Sequence, residues 1–267
     1  MKKFSLLMGT VLLLVTLLAG CGGTKQAATN NAKPDAKSSA TSGTIKVGTE
    51  PTFAPFEFAD KEGKNYEGFD MDLIRAVGKQ LNKKIEIVNM GFDALIPALN
   101  SGNIDVAIAG MSITPERQKA VDFSTAYYVS GLTVLVNSDN NSVKSINDLN
   151  NKKIAVQIGT TGADKAAKVP GAKVTSFNTN SEVFMELKNK GVDAVIIDKP
   201  VAAYYLAKEK NAGAKMVGET LDAESYGIAL KKGNKRTDKL NKALEALKQS
   251  GEYDQIYKKW FGTAPTK

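Results

Sequence analysis

The chain has 267 residues, 42% of them hydrophobic and 24% charged, with ordinary glycine and proline counts, which suits a globular chain with room for two lobes. Its formal net charge of +8 is spread over scattered lysines, and the only arginines are Arg75, Arg117 and Arg236, so the footprint of a nucleic-acid binder is missing and no nucleic acid is expected as a partner. With no histidine and a single cysteine, His-based triads, Cys/His zinc sites and thiol–imidazole pairs are excluded; no metal or cofactor is expected, and carboxylate chemistry stays open.

Lys2 and Lys3 precede an apolar run at 6–19, which has the length of a signal-peptide core and is too short to span a bilayer. Leu17-Leu18-Ala19-Gly20-Cys21 then reads as a lipobox, because small residues lead into a cysteine that has no disulfide partner. Removal of 1–20 and lipidation of Cys21 are expected, holding the mature chain on the outer face of the cell membrane. The bland alternative is an uncleaved anchor followed by a chance cysteine. Residues 22–43 are small and polar, too poor in apolar surface to offset the entropy of ordering, and predict a flexible tether from Cys21 to 43.

From Thr44 onward short β-branched runs alternate with helical patterns: a strand at 45–47, a helix at 69–81, a strand at 85–88, a helix at 92–99 and a strand at 104–109. The alternation predicts an α/β fold with parallel βαβ units. In the first helix Leu73, Val77 and Leu81 recur every four residues beside Ile74, while Asp70 and Asp72 occupy the first turn. A second set follows, with strands at 154–156, 174–177 and 194–197, a helix after Gly162, one at 181–190 and one after Pro200. Leu240, Leu244 and Leu247 share a helix face that Gly251 stops, and an aromatic helix ends near Trp260. The two sets are joined by 127–132, and the segment after Tyr226 returns to the first, so two lobes with a ligand cleft between them are expected.

Within that frame, Ala109-Gly110-Met111-Ser112-Ile113-Thr114-Pro115-Glu116-Arg117 reads as a strand ending in glycine and a helix with Thr114 as cap and Pro115 at its first position. An arginine on such a first turn can grip a carboxylate with two parallel hydrogen bonds, or be an ordinary surface arginine. Gln157-Ile158-Gly159-Thr160-Thr161-Gly162 lies between strand and helix, where amides and hydroxyls could close an anion site; glycine equally suits the turn's geometry, and the P-loop ending is absent. Asp198 ends the apolar strand before Lys199-Pro200 and could pair with an ammonium group or cap a helix. Glu50, Phe53 and Phe56 follow the first strand, offering an acid and aromatic walls, with Phe56 assigned to the core and Phe92 divided between core and cleft.

Gly48-Thr49-Glu50 with Ala54-Pro55-Phe56-Glu57-Phe58, Gly68-Phe69-Asp70-Met71-Asp72-Leu73, Phe92 with Leu95-Ile96-Pro97-Ala98-Leu99, the 110–117 segment, Val121-Asp122-Phe123-Ser124, Gly159-Thr160-Thr161-Gly162 and Tyr257-Lys258-Lys259-Trp260-Phe261-Gly262 stand in family order. From about Thr44 to the end the chain resembles the polar amino-acid substrate-binding proteins of ABC importers, solute-binding protein family 3, and most closely the glutamine-binding proteins. That resemblance implies a periplasmic-binding-protein-like fold: lobe 1 at 44–128 plus 226–267, lobe 2 at 132–222, and hinges near 127–132 and 221–227. It also implies a monomer that takes a free polar L-amino acid and meets the membrane subunits of an ABC importer. By position, Arg117 would hold the ligand α-carboxylate with Ser112 and the Thr161 amide, and Asp198 would take the α-ammonium with the Gly110 carbonyl and the Ser112 hydroxyl. Phe53 and Phe92 would sandwich the aliphatic part, leaving Glu50 and Gln157 at the side-chain tip.

The chain departs from its relatives at that tip, where glutamine binders often pair an aspartate at the Glu50 position with a lysine at the Gln157 position. Without a cationic neighbour Glu50 would welcome a guanidinium or ammonium, which makes arginine or lysine a serious candidate. The hinge Tyr127-Tyr128-Val129-Ser130-Gly131-Leu132 is more glutamine-like, and the balance leans slightly to glutamine. The rival from another class is a dehydratase or lyase on the same scaffold with Glu50 as general acid, but the cleft groups match the fixed charges of a zwitterion, so no catalysis is expected.

Overall fold

A computed structural model describes residues 43–265. The expected signal peptide, the lipidation site Cys21 and the tether ahead of Gly43 lie outside the described residues. None of the described helices is long and apolar enough to cross a membrane.

Strand β1 (Thr44–Thr49) runs into a small antiparallel sheet of β2 (Thr52–Phe53), β3 (Glu57–Ala59) and β4 (Tyr66–Glu67). Helix α1 (Phe69–Gln80) starts behind Gly68, whose φ of 128° suits glycine and whose added Cβ would lie 2.0 Å from the Phe56 carbonyl oxygen. It buries Phe69, Met71, Leu73, Ile74 and Val77, as its four-residue periodicity predicts. Then come β5 (Lys84–Asn89), a 3-10 turn at Phe92–Ala94, α2 (Leu95–Ser101), β6 (Val106–Ala107), α3 (Pro115–Ala120) and β7 (Val121–Phe123). The long strand β8 (Tyr128–Asn137) leads to β9 (Lys153–Gln157), α4 (Thr161–Ala166), β10 (Lys173–Phe177), α5 (Asn180–Lys188), β11 (Ala194–Asp198), α6 (Lys199–Lys208) and β12 (Ala214–Val217). The chain ends with β13 (Ala223–Tyr226), β14 (Ala229–Lys231), α7 (Thr237–Gln249) and α8 (Glu252–Phe261).

These elements form two larger sheets, ordered β5-β1-β6-β14-β7 and β10-β9-β11-β8-β12, so the protein is α/β with two sheet-containing lobes. The expected parallel pairing holds for β1 with β5 and β6, and for β9 with β10 and β11. Elsewhere it does not: β14 is antiparallel to β6 and β7, and β8 is antiparallel to β11 and β12. The reversal follows from the route of the chain, which passes between the sheets along β8 and back along β13, these two being antiparallel with Tyr226 opposite Tyr128. Smaller differences are local. The helix expected at 92–99 divides into the 3-10 turn and α2, the strand expected at 104–109 shortens to two residues, and α4 begins at Thr161, capped by Thr160.

An aromatic cluster packs where the two crossings meet. Phe56 is fully buried, as its core assignment requires, with Tyr128, Tyr226 and Phe261 ring centroids at 4.8, 5.2 and 5.5 Å. Phe261 comes from α8, so the last helix is tied to the crossing strands through apolar contact.

Candidate functional site

The C-terminal ends of β1, β9 and β11 converge on one small, narrow cavity. Its wall includes all nine residues singled out from the sequence, Glu50, Phe53, Phe92, Gly110, Ser112, Arg117, Gln157, Thr161 and Asp198, together with Glu57, Ala109 and Thr160. Placement at strand ends is what open α/β sheets provide, because the loops there face the crevice between units.

Thr114 caps α3 by accepting the Arg117 N–H at 3.2 Å, and Pro115 occupies the first turn without needing a donor, so this short helix presents Arg117 at a defined angle. The guanidinium lies 5.2 Å from the Phe92 ring centroid, donates Nη1–H to the Ser112 carbonyl at 2.8 Å and donates Nη2–H to the Gly159 carbonyl at 3.0 Å. Burial disfavours its charge, while Glu224, Asp164 and Asp198 favour it. Phe92 is 8% exposed and packs in the apolar cluster of α2 as well, so it serves core and cleft together.

Asp198 stands at the N-terminal end of α6 without capping it. Its Oδ1 instead accepts the Tyr226 hydroxyl and the Ser130 hydroxyl, the latter at 3.1 Å, both from the crossing strands. Burial first, and then the like charge of Glu224, push its carboxyl up to about 7. Glu224 also accepts the Ser112 hydroxyl at 2.6 Å, so the Ser112 proton is directed to β13. Tyr226, Ser130 and Glu224 escaped the sequence reading because only the β8–β13 pairing brings them to Asp198.

Glu50 is 4% exposed, and its donors are neutral: Thr52 Oγ1 at 2.9 and 2.7 Å to its two oxygens, and Gln157 Nε2 at 2.9 Å. Burial raises its carboxyl above the usual range, and the other charge acting on it, Glu182, has the same sign. Gln157 is held in turn by the Asn178 carbonyl, which accepts from Nε2 at 3.0 Å, and by Asn180 Nδ2, which donates to Oε1 at 2.9 Å. Besides the Tyr226 hydroxyl on Asp198, hydrogen bonds from Gln157 to Glu50, from Arg117 to Gly159 and from Asn180 N–H to Thr52 Oγ1 at 2.9 Å join the two sides of the cavity. Among the described residues no three His, Cys, Asp or Glu side chains are grouped as metal ligands.

Two α/β sheets linked by paired crossing strands, with a charged cavity closed from both sides, define a two-lobed protein that binds a small polar molecule. Residues 45–263 match the bacterial extracellular solute-binding proteins, family 3, and the chain belongs to that family. It is 39% identical over 251 residues to a "probable histidine-binding protein" of Neisseria gonorrhoeae, covering 91% of this chain and 90% of the relative. It is 33% identical over 274 residues to the "ABC transporter glutamine-binding protein GlnH" of Bacillus subtilis (strain 168), covering 99% of each. Among solved structures, "an ancestral arginine-binding protein bound to arginine" superposes with a TM-score of 0.80 at 51% identity, covering 82% of this chain and 99% of that one.

Proposed function

We propose that this chain is the lipid-anchored, extracytoplasmic receptor of an ABC importer, and that it holds a basic L-amino acid, arginine or lysine, between two closing lobes. The lobes divide as 44–128 with 226–267 against 132–222, and rotate about the β8–β13 pair. Arg117 grips the α-carboxylate from one lobe and Asp198 the α-ammonium from the other, so a ligand carrying both charges favours the closed arrangement through differential contact. Phe53 and Phe92 flank the aliphatic stem. The Thr161 amide, the Gly110 carbonyl and Ser112 complete the two ends.

The single observation that carries the basic ligand is Glu50, a buried carboxylate whose hydrogen-bond donors are all neutral. A guanidinium or ammonium at the ligand tip offsets its desolvation, whereas a neutral amide does so only in part. The Glu50 and Asp198 carboxyls outnumber the Arg117 guanidinium in the cavity wall, and this balance also favours a cationic guest. Glutamine is the second reading, supported by the glutamine-binding relative from Bacillus subtilis. No bond is made or broken: the polar groups match fixed ligand charges and none is committed to a reacting bond.

A thermal-shift screen of arginine, lysine, histidine, glutamine and glutamate tests the reading, with product analysis of each incubation. Stabilisation led by arginine or lysine without turnover supports it. Stabilisation by glutamate alone, or product formation, contradicts it.

A further inference from the structure

Glu57 in the cavity wall and Asp70 beside it are two carboxyl groups that the grip on an amino acid leaves unused. Glu57 on β3 is 1% exposed and Asp70, in the first turn of α1, is 0% exposed. Asp70 N–H donates to the Phe56 carbonyl at 2.9 Å, which sets its side chain beside that of Glu57, and neither Glu57 Oε2 nor Asp70 Oδ1 has a hydrogen-bond partner. Two buried carboxylates set side by side repel, whereas one shared proton would give both oxygens the partner each lacks. The remaining Asp70 oxygen, Oδ2, accepts the Gly110 N–H at 2.9 Å and the Tyr127 hydroxyl at 2.7 Å, and both bonds favour an ionised Asp70.

We propose that Glu57 is a neutral carboxylic acid donating to the Asp70 carboxylate, and that this one buried proton sets both the position of Gly110 and the charge of the ligand cavity. Gly110 has φ 53°, and an added Cβ would fall 2.4 Å from the Phe53 ring, so its backbone is wedged between the Asp70 bond and the aromatic wall. With Glu57 neutral, the carboxylates of Glu50 and Asp198 against the Arg117 guanidinium leave the cavity wall one negative charge, the complement of a basic amino acid. This last step rests on the basic-ligand reading; the shared proton does not. Glu57 is a positioning and charge-setting residue.

The groups facing Glu57 agree with that assignment. Asp70 comes from α1, Glu50 from the end of β1, Asp198 from the end of β11 and Tyr127 from ahead of β8, while its partner in β2 is the uncharged Phe53. Burial, followed by the negative charge of Asp70, pushes the Glu57 carboxyl well above the usual range, and burial lifts Asp70 to about 6.

The test compares the full chain with its Glu57→Gln and Glu57→Leu variants, by urea unfolding without ligand from about pH 5 to 8 and by calorimetry with arginine and with glutamine. An acid that keeps its proton when folded and loses it when unfolded makes stability fall as pH rises above the unfolded value. The wild-type folding equilibrium constant is therefore expected to fall about tenfold per pH unit more steeply than that of Glu57→Gln. The glutamine side chain keeps a donor for Asp70 and should rescue binding to within about threefold of wild type, whereas Glu57→Leu, which lacks it, should lose at least tenfold for both ligands. Equal pH slopes, failure of Glu57→Gln to fold, or equal binding losses in the two variants would overturn the proposal. If wild type binds neither ligand, the basic-ligand reading fails while the pH slopes still decide the proton.

Discussion

Gln157 Nε2 donates to Glu50 Oε2 at 2.9 Å, and this bond joins the end of β9 in one sheet to the end of β1 in the other. In the proposed closed form it is at once a closure contact and the environment of the ligand tip. A Gln157→Lys substitution would supply Glu50 with the cation that the wild type lacks. Arginine and lysine affinities are expected to fall about tenfold or more, while glutamine affinity changes by less than about threefold, as measured by calorimetry. An unchanged preference would mean that Gln157 does not meet the ligand tip.

Arg117→Ala should weaken every α-amino acid alike, because it removes the carboxylate grip rather than the tip. Truncating one partner of a buried charge pair costs about 2–5 kcal/mol, so at least about 30-fold is expected by calorimetry. Arg117→Lys should restore little of it, since an ammonium cannot make the two parallel bonds. A selective loss, large for arginine and small for glutamine, would place the guanidinium at the wrong end of the ligand.

Asp198 supplies the pH dependence. Its carboxyl sits at about 7, so below that value a proton competes with the ligand ammonium. Affinity should drop as pH falls from about 8 to 5, approaching tenfold per unit below 7, with a steeper fall for arginine because Glu50 is raised too. The free protein moves the other way: a folded-state value raised above the unfolded one makes Asp198 destabilising as pH rises from about 4 to 7. In Asp198→Asn, binding should be weak and its pH dependence largely lost. Titrations at a series of pH values check both slopes.

How far residues reveal structure depends on how far apart their partners lie. The Thr114-Pro115 start of α3, the Leu73 and Val77 face of α1 and the strand-end positions of Glu50, Gln157 and Asp198 are local patterns, and they were legible from a few neighbouring side chains. Partners of Asp198 were not. Tyr226 is 28 residues away and Glu224 meets Ser112 across 112, through the four-residue strand β13, which is too short for alternation to mark it or to show that it pairs with β8. Glu57 carries a faint signal, an acid inside the aromatic run Phe56-Glu57-Phe58, but nothing local links it to Asp70, whose place in the first turn of a helix is all that its neighbours show. Its burial makes it a second kind of residue, satisfied by a proton rather than by water.

The proposed lipid anchor at Cys21 is tested in cells. In a bacterial host, the chain is expected to incorporate labelled fatty acid and fractionate with membranes, and Cys21→Ser should be unlabelled and released. Ligand binding should not change, because every proposed contact lies between Glu50 and Asp198. Labelling that persists without Cys21 would contradict the lipobox reading.

The central claim, that Glu50 selects a cation at the ligand tip while Arg117 and Asp198 hold its two ends, is tested most directly by calorimetric titration of arginine and glutamine into wild type and Glu50→Gln. Wild type should bind arginine at least about tenfold more tightly than glutamine, and the variant should lose that margin through arginine alone. Tighter binding of glutamine by wild type, or an arginine margin that survives in Glu50→Gln, would contradict it.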